Sequence, residues 1–92
     1  MSIGQSLDAD TQLNGPECRA LYERKAAELI LYGRALGLSH AEAEDVLQET
    51  FMALLRLADW PEQPERYCVR AYRNRALNLR RNLWSRVRHE LE

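Results

Sequence analysis

The chain has 92 residues, a net charge of −1 and few glycines and prolines, and no apolar run approaches the length of a membrane span; one small helical domain fits these limits. Its charge is divided, because residues 1–60 carry five basic and ten acidic side chains, whereas residues 61–92 carry eight arginines and four glutamates. Such a chain can present an acidic surface to one partner and a basic surface to another.

The first predicted helix follows a polar N-terminal segment. We expect residues 1–15 to be flexible, with room for a short helix over residues 6–13. Pro16 suits a first helical turn and Gly37 suits a helix end, so the sequence predicts a helix over about residues 16–36. Its apolar stripe comprises Cys18, Leu21, Tyr22, Leu29, Tyr32 and Leu36.

Two residues on this stripe are unusual for a buried helix face. Lys25 lies in the middle of it, so its ammonium group must reach the edge of the buried face or pair with a carboxylate there. Gly33 lies on the same face and allows a neighbouring helix to approach closely. The two cysteines, Cys18 and Cys68, fall on predicted buried stripes and form no disulfide framework, which is typical of proteins of the reducing cytoplasm.

The second predicted helix begins at a capping box. Ser39 is its N-cap and Glu42 is the residue that reaches back, and the helix runs from His40 to about residue 58. The short connection predicts that the first two helices pack as antiparallel neighbours. One stripe is apolar and one is polar: Val46, Leu47, Thr50, Phe51, Leu54 and Ala58 are expected inside, and Glu42, Asp45, Gln48, Glu49, Met52 and Arg56 outside.

The third predicted helix carries the basic charge. Pro61 ends the preceding helix and Pro64 begins the next, which runs to about residue 88. Placed at 100° per residue, its arginines share one flank and its apolar residues another. The arginines are Arg66, Arg70, Arg73, Arg80, Arg81 and Arg88; the apolar stripe is Cys68, Tyr72, Ala76, Leu79, Leu83 and Val87. Trp84 and Leu77 fall among the arginines, so either the bundle wraps round them or they are available to a ligand.

These segments, in this order, resemble region 2 of bacterial RNA polymerase sigma factors, and most closely the extracytoplasmic-function (ECF) type. The resemblance covers about residues 18–88. It is most specific in AEDVLQETF of the second helix and in the Arg73-Asn74 pair, which Asn78 follows one turn later. It implies an all-α, three-helix domain over about residues 16–90.

The resemblance also implies two binding surfaces. The polar face of the second helix binds the clamp helices of the polymerase β′ subunit, and the last helix with its preceding loop holds the minus-ten promoter element as single-stranded DNA with flipped-out bases. The implied polymerase-binding residues are Asp45, Gln48, Glu49, Met52 and Arg56. The implied DNA-binding residues are Trp60, Arg66, Tyr67, Arg70, Arg73, Asn74, Asn78, Arg80 and Arg81.

Other interpretations remain open at this point. Family members also carry a helix-turn-helix domain, region 4, so these residues are either an excised domain or a free-standing region 2 protein. A free-standing protein could bind polymerase or an anti-sigma factor without promoter recognition. A double-stranded DNA binder of helix-turn-helix type fits the long third helix poorly. Because the chain has no phosphate loop, metal-ligand spacing or catalytic triad, we expect no enzyme and no cofactor.

Overall fold

The computed structural model describes residues 14–91, which form three α-helices without a strand among them. Helix α1 spans Gly15–Ala35, α2 spans His40–Leu55 and α3 spans Pro64–Leu91. Each helix packs against the other two, and α1 contacts α2 most extensively. The predicted all-α three-helix bundle is therefore confirmed. Over residues 14–91, none of the helices combines the length and the apolar character needed to cross a membrane.

The N-terminal segment predicted as flexible lies outside the described residues, apart from its last two members, and so does the possible helix over residues 6–13. Asn14 and Gly15 are described, and both are buried. Helix α1 thus begins one residue before the predicted Pro16 and is anchored at its first residue.

Local signals in the sequence set the turn between α1 and α2. Gly37 has a φ of +101°, a backbone conformation that side chains with a Cβ disfavour, and α1 ends two residues before it. The capping box at Ser39 is present: its Oγ accepts a hydrogen bond from the Glu42 backbone N–H at 3.1 Å. In return, the Glu42 Oε1 accepts one from the Ser39 N–H at 2.7 Å. These bonds satisfy amides at the start of α2 that no helical carbonyl can reach.

The end of α2 differs from the prediction. The helix ends at Leu55, and Ala58, expected on the buried stripe, is exposed. The helix ends in a tighter turn, in which the Leu57 N–H donates to the carbonyl of Leu54, three residues earlier, at 3.2 Å. The buried Asn14, at the start of α1, then caps this end: its Nδ2 donates to the Leu57 carbonyl at 2.9 Å and to the Leu54 carbonyl at 3.4 Å. No pattern within α2 could have indicated a cap supplied 43 residues away.

Replacing Asn14 with alanine should destabilise the fold by about 1 kcal/mol, because the part-buried Leu57 carbonyl loses its donor while the Leu54 carbonyl keeps the Leu57 N–H. Chemical denaturation followed by circular dichroism measures the change. Asn82→Ala is the matched control, since that asparagine is exposed on α3. Equal stability of the two variants would show that water replaces the Asn14 amide without loss.

The buried core lies between the three helices. It contains leucine and valine side chains from α1 and α2, with Cys68, Tyr72 and Ala76 from α3, all of them at most a few per cent exposed. Both predicted buried cysteines are confirmed as buried free thiols, and burial raises the pKa of Cys18 and of Cys68 to about 11. At neutral pH both therefore stay protonated and pack as small apolar groups.

Two aromatic contacts join the helices. The Tyr72 hydroxyl donates to the Ala43 carbonyl of α2 at 3.2 Å, and Gly33 of α1 lies directly against this hydroxyl. Tyr22, predicted on the buried stripe, is instead 43 % exposed, although its ring meets Phe51 edge-on with 5.2 Å between centroids. It lies at the rim of the core, where its hydroxyl can stay in water.

Helix α3 extends past the bundle. It has 28 residues, about 42 Å of helix, against 16 residues and about 24 Å for α2. Val87, expected on the buried stripe, is consequently 44 % exposed, while Leu79 and Leu83 are half-buried. The helix also continues three residues beyond the predicted residue 88, to Leu91.

Candidate functional site

One candidate surface is the polar face of α2, which we call the acidic face: Asp45, Gln48, Glu49, Met52 and Arg56. All five side chains are exposed, and Met52 is 50 % exposed. Their spacing of three and four residues places them on one stripe, opposite the buried Leu47 and Leu54. Within residues 14–91 none of the five forms an ion pair or a side-chain hydrogen bond, so their polar groups are available to a partner.

The second candidate surface is the arginine flank of α3, formed by Arg66, Arg70, Arg73, Arg80 and Arg81. All five residues are exposed, as the helical spacing predicted. The Arg66 Nη1 donates to the Gln63 Oε1 at 3.0 Å, which holds that guanidinium beside the start of the helix. Asn74 and Asn78 are also exposed, one turn apart at the edge of the flank. A straight helix thus carries fixed positive charge along about 22 Å, from residue 66 to residue 81.

A groove of about 300 Å³ opens where the loop before α3 meets this flank, and we call it the loop groove. Its lining combines an exposed tyrosine, a loop proline, an amide and two arginines: Tyr67, Pro61, Gln63, Arg66 and Arg70. Tyr67 is 43 % exposed, so its ring is accessible from the groove. Trp60, in the same loop, is half-buried and packs against the hydrophobic core, so only part of its ring faces solvent.

A second groove, about 440 Å³, runs between α1 and α3. Lys25 lies in it with a side chain only 19 % exposed, and its Nζ is 3.2 Å from the Glu28 Oε2 and 3.9 Å from the Glu65 Oε1. Of the two alternatives expected for Lys25, reaching the edge of the buried face or pairing with a carboxylate, the structure shows the pairing. Arg24 also reaches Glu65, at 3.4 Å. Because Glu65 is half exposed, these pairs contribute little to stability, and the carboxylates of Glu28 and Glu65 offset the positive charge that Arg24 and Lys25 bring beside the arginine flank.

Two contacts of this surface were not predicted from the sequence: the one between Gln63 and Arg66 and the one between Lys25 and Glu65. Gln63 orients Arg66 from three residues earlier, a spacing that could have been recognised once a helix start at Pro64 was predicted. Lys25 meets Glu65 only because α1 packs beside α3, and periodicity within one helix contains no such information. Among residues 14–91 there is no cluster of histidine, cysteine or carboxylate side chains that could hold a metal ion.

A comparison with protein families matches residues 21–86 to sigma-70 region 2. The chain belongs to the sigma-70 region 2 family. The match begins in α1, includes all of α2 and ends in α3, so it contains both candidate surfaces of this region 2 domain. Neither the curated proteins nor the solved structures gave a match to the chain.

Membership of the sigma-70 region 2 family indicates the class of protein to which this chain belongs. Sigma-70 region 2 is a domain of transcription factors rather than a family of enzymes, and it acts with RNA polymerase and promoter DNA. The resemblance to sigma region 2 inferred from the sequence is confirmed.

Proposed function

We propose that this region 2 domain, of the ECF type, acts in transcription initiation in the cytoplasm through two separate surfaces. The acidic face of α2 binds the β′ clamp helices of core RNA polymerase. The arginine flank of α3 and the loop groove bind the minus-ten promoter element as a single strand. The separation of charge supports this proposal: unpaired carboxylates are exposed on α2, and a row of exposed guanidinium groups lies on α3.

The acidic face has the composition of a surface that recognises a basic helix. Asp45 and Glu49 are four residues apart, so their carboxylates lie one turn apart and can each pair with a basic group on a partner helix. Met52 follows on the same stripe and offers a flexible apolar contact between those pairs. Such a surface gains orientation and association rate from its charges.

Two kinds of side chain on α3 have separate roles in binding DNA: arginines bind phosphates, and asparagines bind base edges. Guanidinium groups bind phosphates and fix the position of a strand without reading its sequence. The amides of Asn74 and Asn78 can each donate to and accept from the Watson–Crick edge of an unpaired base. The loop groove, with the exposed ring of Tyr67 beside Arg66 and Arg70, suits a base that has left the stack.

Single-strand binding tests the proposal. A pool of randomised single strands is selected on the immobilised chain, and the enriched sequence and its scrambled version are titrated at several salt concentrations. Five phosphate contacts on a single strand give a log–log salt slope of about −3.5, so affinity should fall roughly 100-fold between 50 and 200 mM salt. No enrichment, or a flat salt dependence, would rule out the arginine flank as a strand-binding surface.

Asn74→Ala should lower the preference for the enriched sequence over its scrambled version by about 5- to 100-fold, with the salt slope unchanged, because an amide reads bases and contributes no charge. Asn82→Ala, at an exposed asparagine away from the flank, is the control and should keep the full preference. If both variants discriminate as well as the parent chain, Asn74 does not read the base.

The exposed Met52 among carboxylates also fits a second candidate, a sigma-like module that binds polymerase or an anti-sigma factor through the same acidic face without reading a promoter. The two candidates differ in what the arginine flank does. A chain in which Arg70 and Arg73 are both replaced by glutamine should still capture polymerase under either candidate. It should lose the enriched single strand only if the flank binds DNA.

A further inference from the structure

Trp84 is an exposed tryptophan on the part of α3 that extends past α2. It is 59 % exposed, which makes it the most exposed aromatic residue among residues 14–91. One side of the ring lines a groove of about 470 Å³, together with Leu83, Val87 and the turn of residues 35–38 between α1 and α2. The groove is apolar apart from Arg80. The bundle therefore supports one side of the indole and leaves much of the rest in solvent.

Positive charge surrounds this ring. Arg80 and Arg81 precede Trp84 by four and three residues and Arg88 follows it by four, so all three lie on neighbouring positions of the same helix face. All three are exposed. The nearest acidic residue along this end of α3 is Glu90, which the helical spacing places about 120° round the helix from Trp84. These arginines would repel a basic partner. They would attract a nucleotide base whose strand carries a phosphate on either side of it.

We propose that Trp84 stacks on an unpaired base of the single strand bound along α3, while Arg80, Arg81 and Arg88 bind the phosphates around it. This inference rests on the proposed function and extends it to the far end of the helix. Stacking on an exposed aromatic ring tolerates any base, since every base has a π-face. Trp84 thus adds affinity at a second point without adding sequence preference.

The position of Trp84 sets the reach of the strand. Eighteen residues separate Arg66 at the loop groove from Trp84, about 27 Å of helix. At the 3.4 Å per nucleotide of a helical strand, this distance corresponds to about eight nucleotides, and to fewer if the strand is stretched. One continuous strand of about eight nucleotides is therefore long enough to place one base in the loop groove and another on Trp84.

Stacking and charge can be distinguished by their salt dependence. Trp84→Ala should weaken binding of the enriched single strand by about 5- to 100-fold while the salt slope stays the same. Arg80→Gln should weaken binding and reduce the size of the slope by about 0.7. Leu91→Ala is the matched control, because Leu91 is 82 % exposed on the same helix end and does not line the groove. It should bind like the parent chain.

A spectroscopic measurement makes the test independent of affinity. In a Trp60→Phe background, Trp84 is the one remaining tryptophan, and its emission should be quenched when the strand binds. Replacing the nucleotides one at a time by abasic sites should remove this quenching at one position, which identifies the stacked base.

The outcomes separate the two proposals. If the parent chain binds no single strand at all, the proposed function fails and this inference fails with it. If the parent binds but Trp84→Ala binds equally well and the emission does not change, only this inference is overturned. Loss of polymerase capture by Trp84→Ala, with strand binding intact, would assign the ring to a protein partner and overturn it as well.

Discussion

Replacing Asp45 and Glu49 together by lysine is expected to abolish capture of core RNA polymerase by this domain, with an affinity loss greater than about 100-fold. Two carboxylates that face basic groups become two ammonium groups, and like charges facing each other across an interface cost several kcal/mol. Both side chains are exposed and form no bond within residues 14–91, so the fold should tolerate the change. Glu42 is left in place because it belongs to the capping box of α2.

The control for this variant carries the same change of net charge elsewhere. Glu23 on α1 and Glu90 on α3 are both exposed, and replacing both by lysine should leave polymerase capture unchanged. Capture is measured by pull-down with purified core enzyme, and single-strand binding is measured on the same samples. If the Asp45/Glu49 variant captures polymerase as well as the control does, the acidic face is not the polymerase-binding surface.

Gly33→Ala should destabilise the domain by about 2 kcal/mol, equivalent to a fall in Tm of about 10 °C. A Cβ at this position would overlap the Tyr72 hydroxyl and lie 3.3 Å from the Tyr72 Cζ and 3.1 Å from the Ala43 Cβ. Tyr72 is fully buried, so it can move only by breaking its bond to the Ala43 carbonyl. These losses outweigh the gain of up to about 1 kcal/mol that alanine brings to a helix.

A second substitution shows whether this clash is the cause. Tyr72→Phe removes the overlapping oxygen, so the double variant should be more stable than Gly33→Ala alone. Gly37→Ala provides the comparison: its φ of +101° predicts strain of about 1 kcal/mol, yet its Cβ would meet open space, so Tyr72→Phe should not rescue it. Additive effects of Gly33→Ala and Tyr72→Phe would contradict the proposed overlap.

Features encoded within one helix could be predicted from the sequence. The capping box at Ser39, the stop at Gly37 and the buried Cys68 and Tyr72 all follow from local chemistry or from a period of 3.6 residues. The exposure of the arginine flank follows from the same period. Features that depend on contacts between helices could not be predicted. The Asn14 cap on α2 and the Lys25–Glu65 pair are such contacts, between residues about 40 positions apart.

The candidate site shows the same limit. Periodicity placed Trp84 among the arginines but could not decide between a ring covered by the bundle and a ring left in solvent. The answer depends on where α1 and α2 end relative to α3. In the structure Trp84 is 59 % exposed, so much of the ring is left in solvent. The loop groove likewise requires the path of the chain through Pro61 and Gln63, which no repeating pattern describes.

The hydroxyl of Tyr72 has a consequence for the geometry of the complex. It donates to the Ala43 carbonyl and so connects α3 to α2. Tyr72 lies one residue before the Arg73-Asn74 pair on α3, and Ala43 lies two residues before Asp45 on α2. Under the proposed function, the DNA-binding and polymerase-binding surfaces are held at a fixed distance by the buried core between α2 and α3, with this hydroxyl as a polar contact beside both. The angle at which the promoter enters the enzyme is then set by how the long α3 crosses the shorter α2.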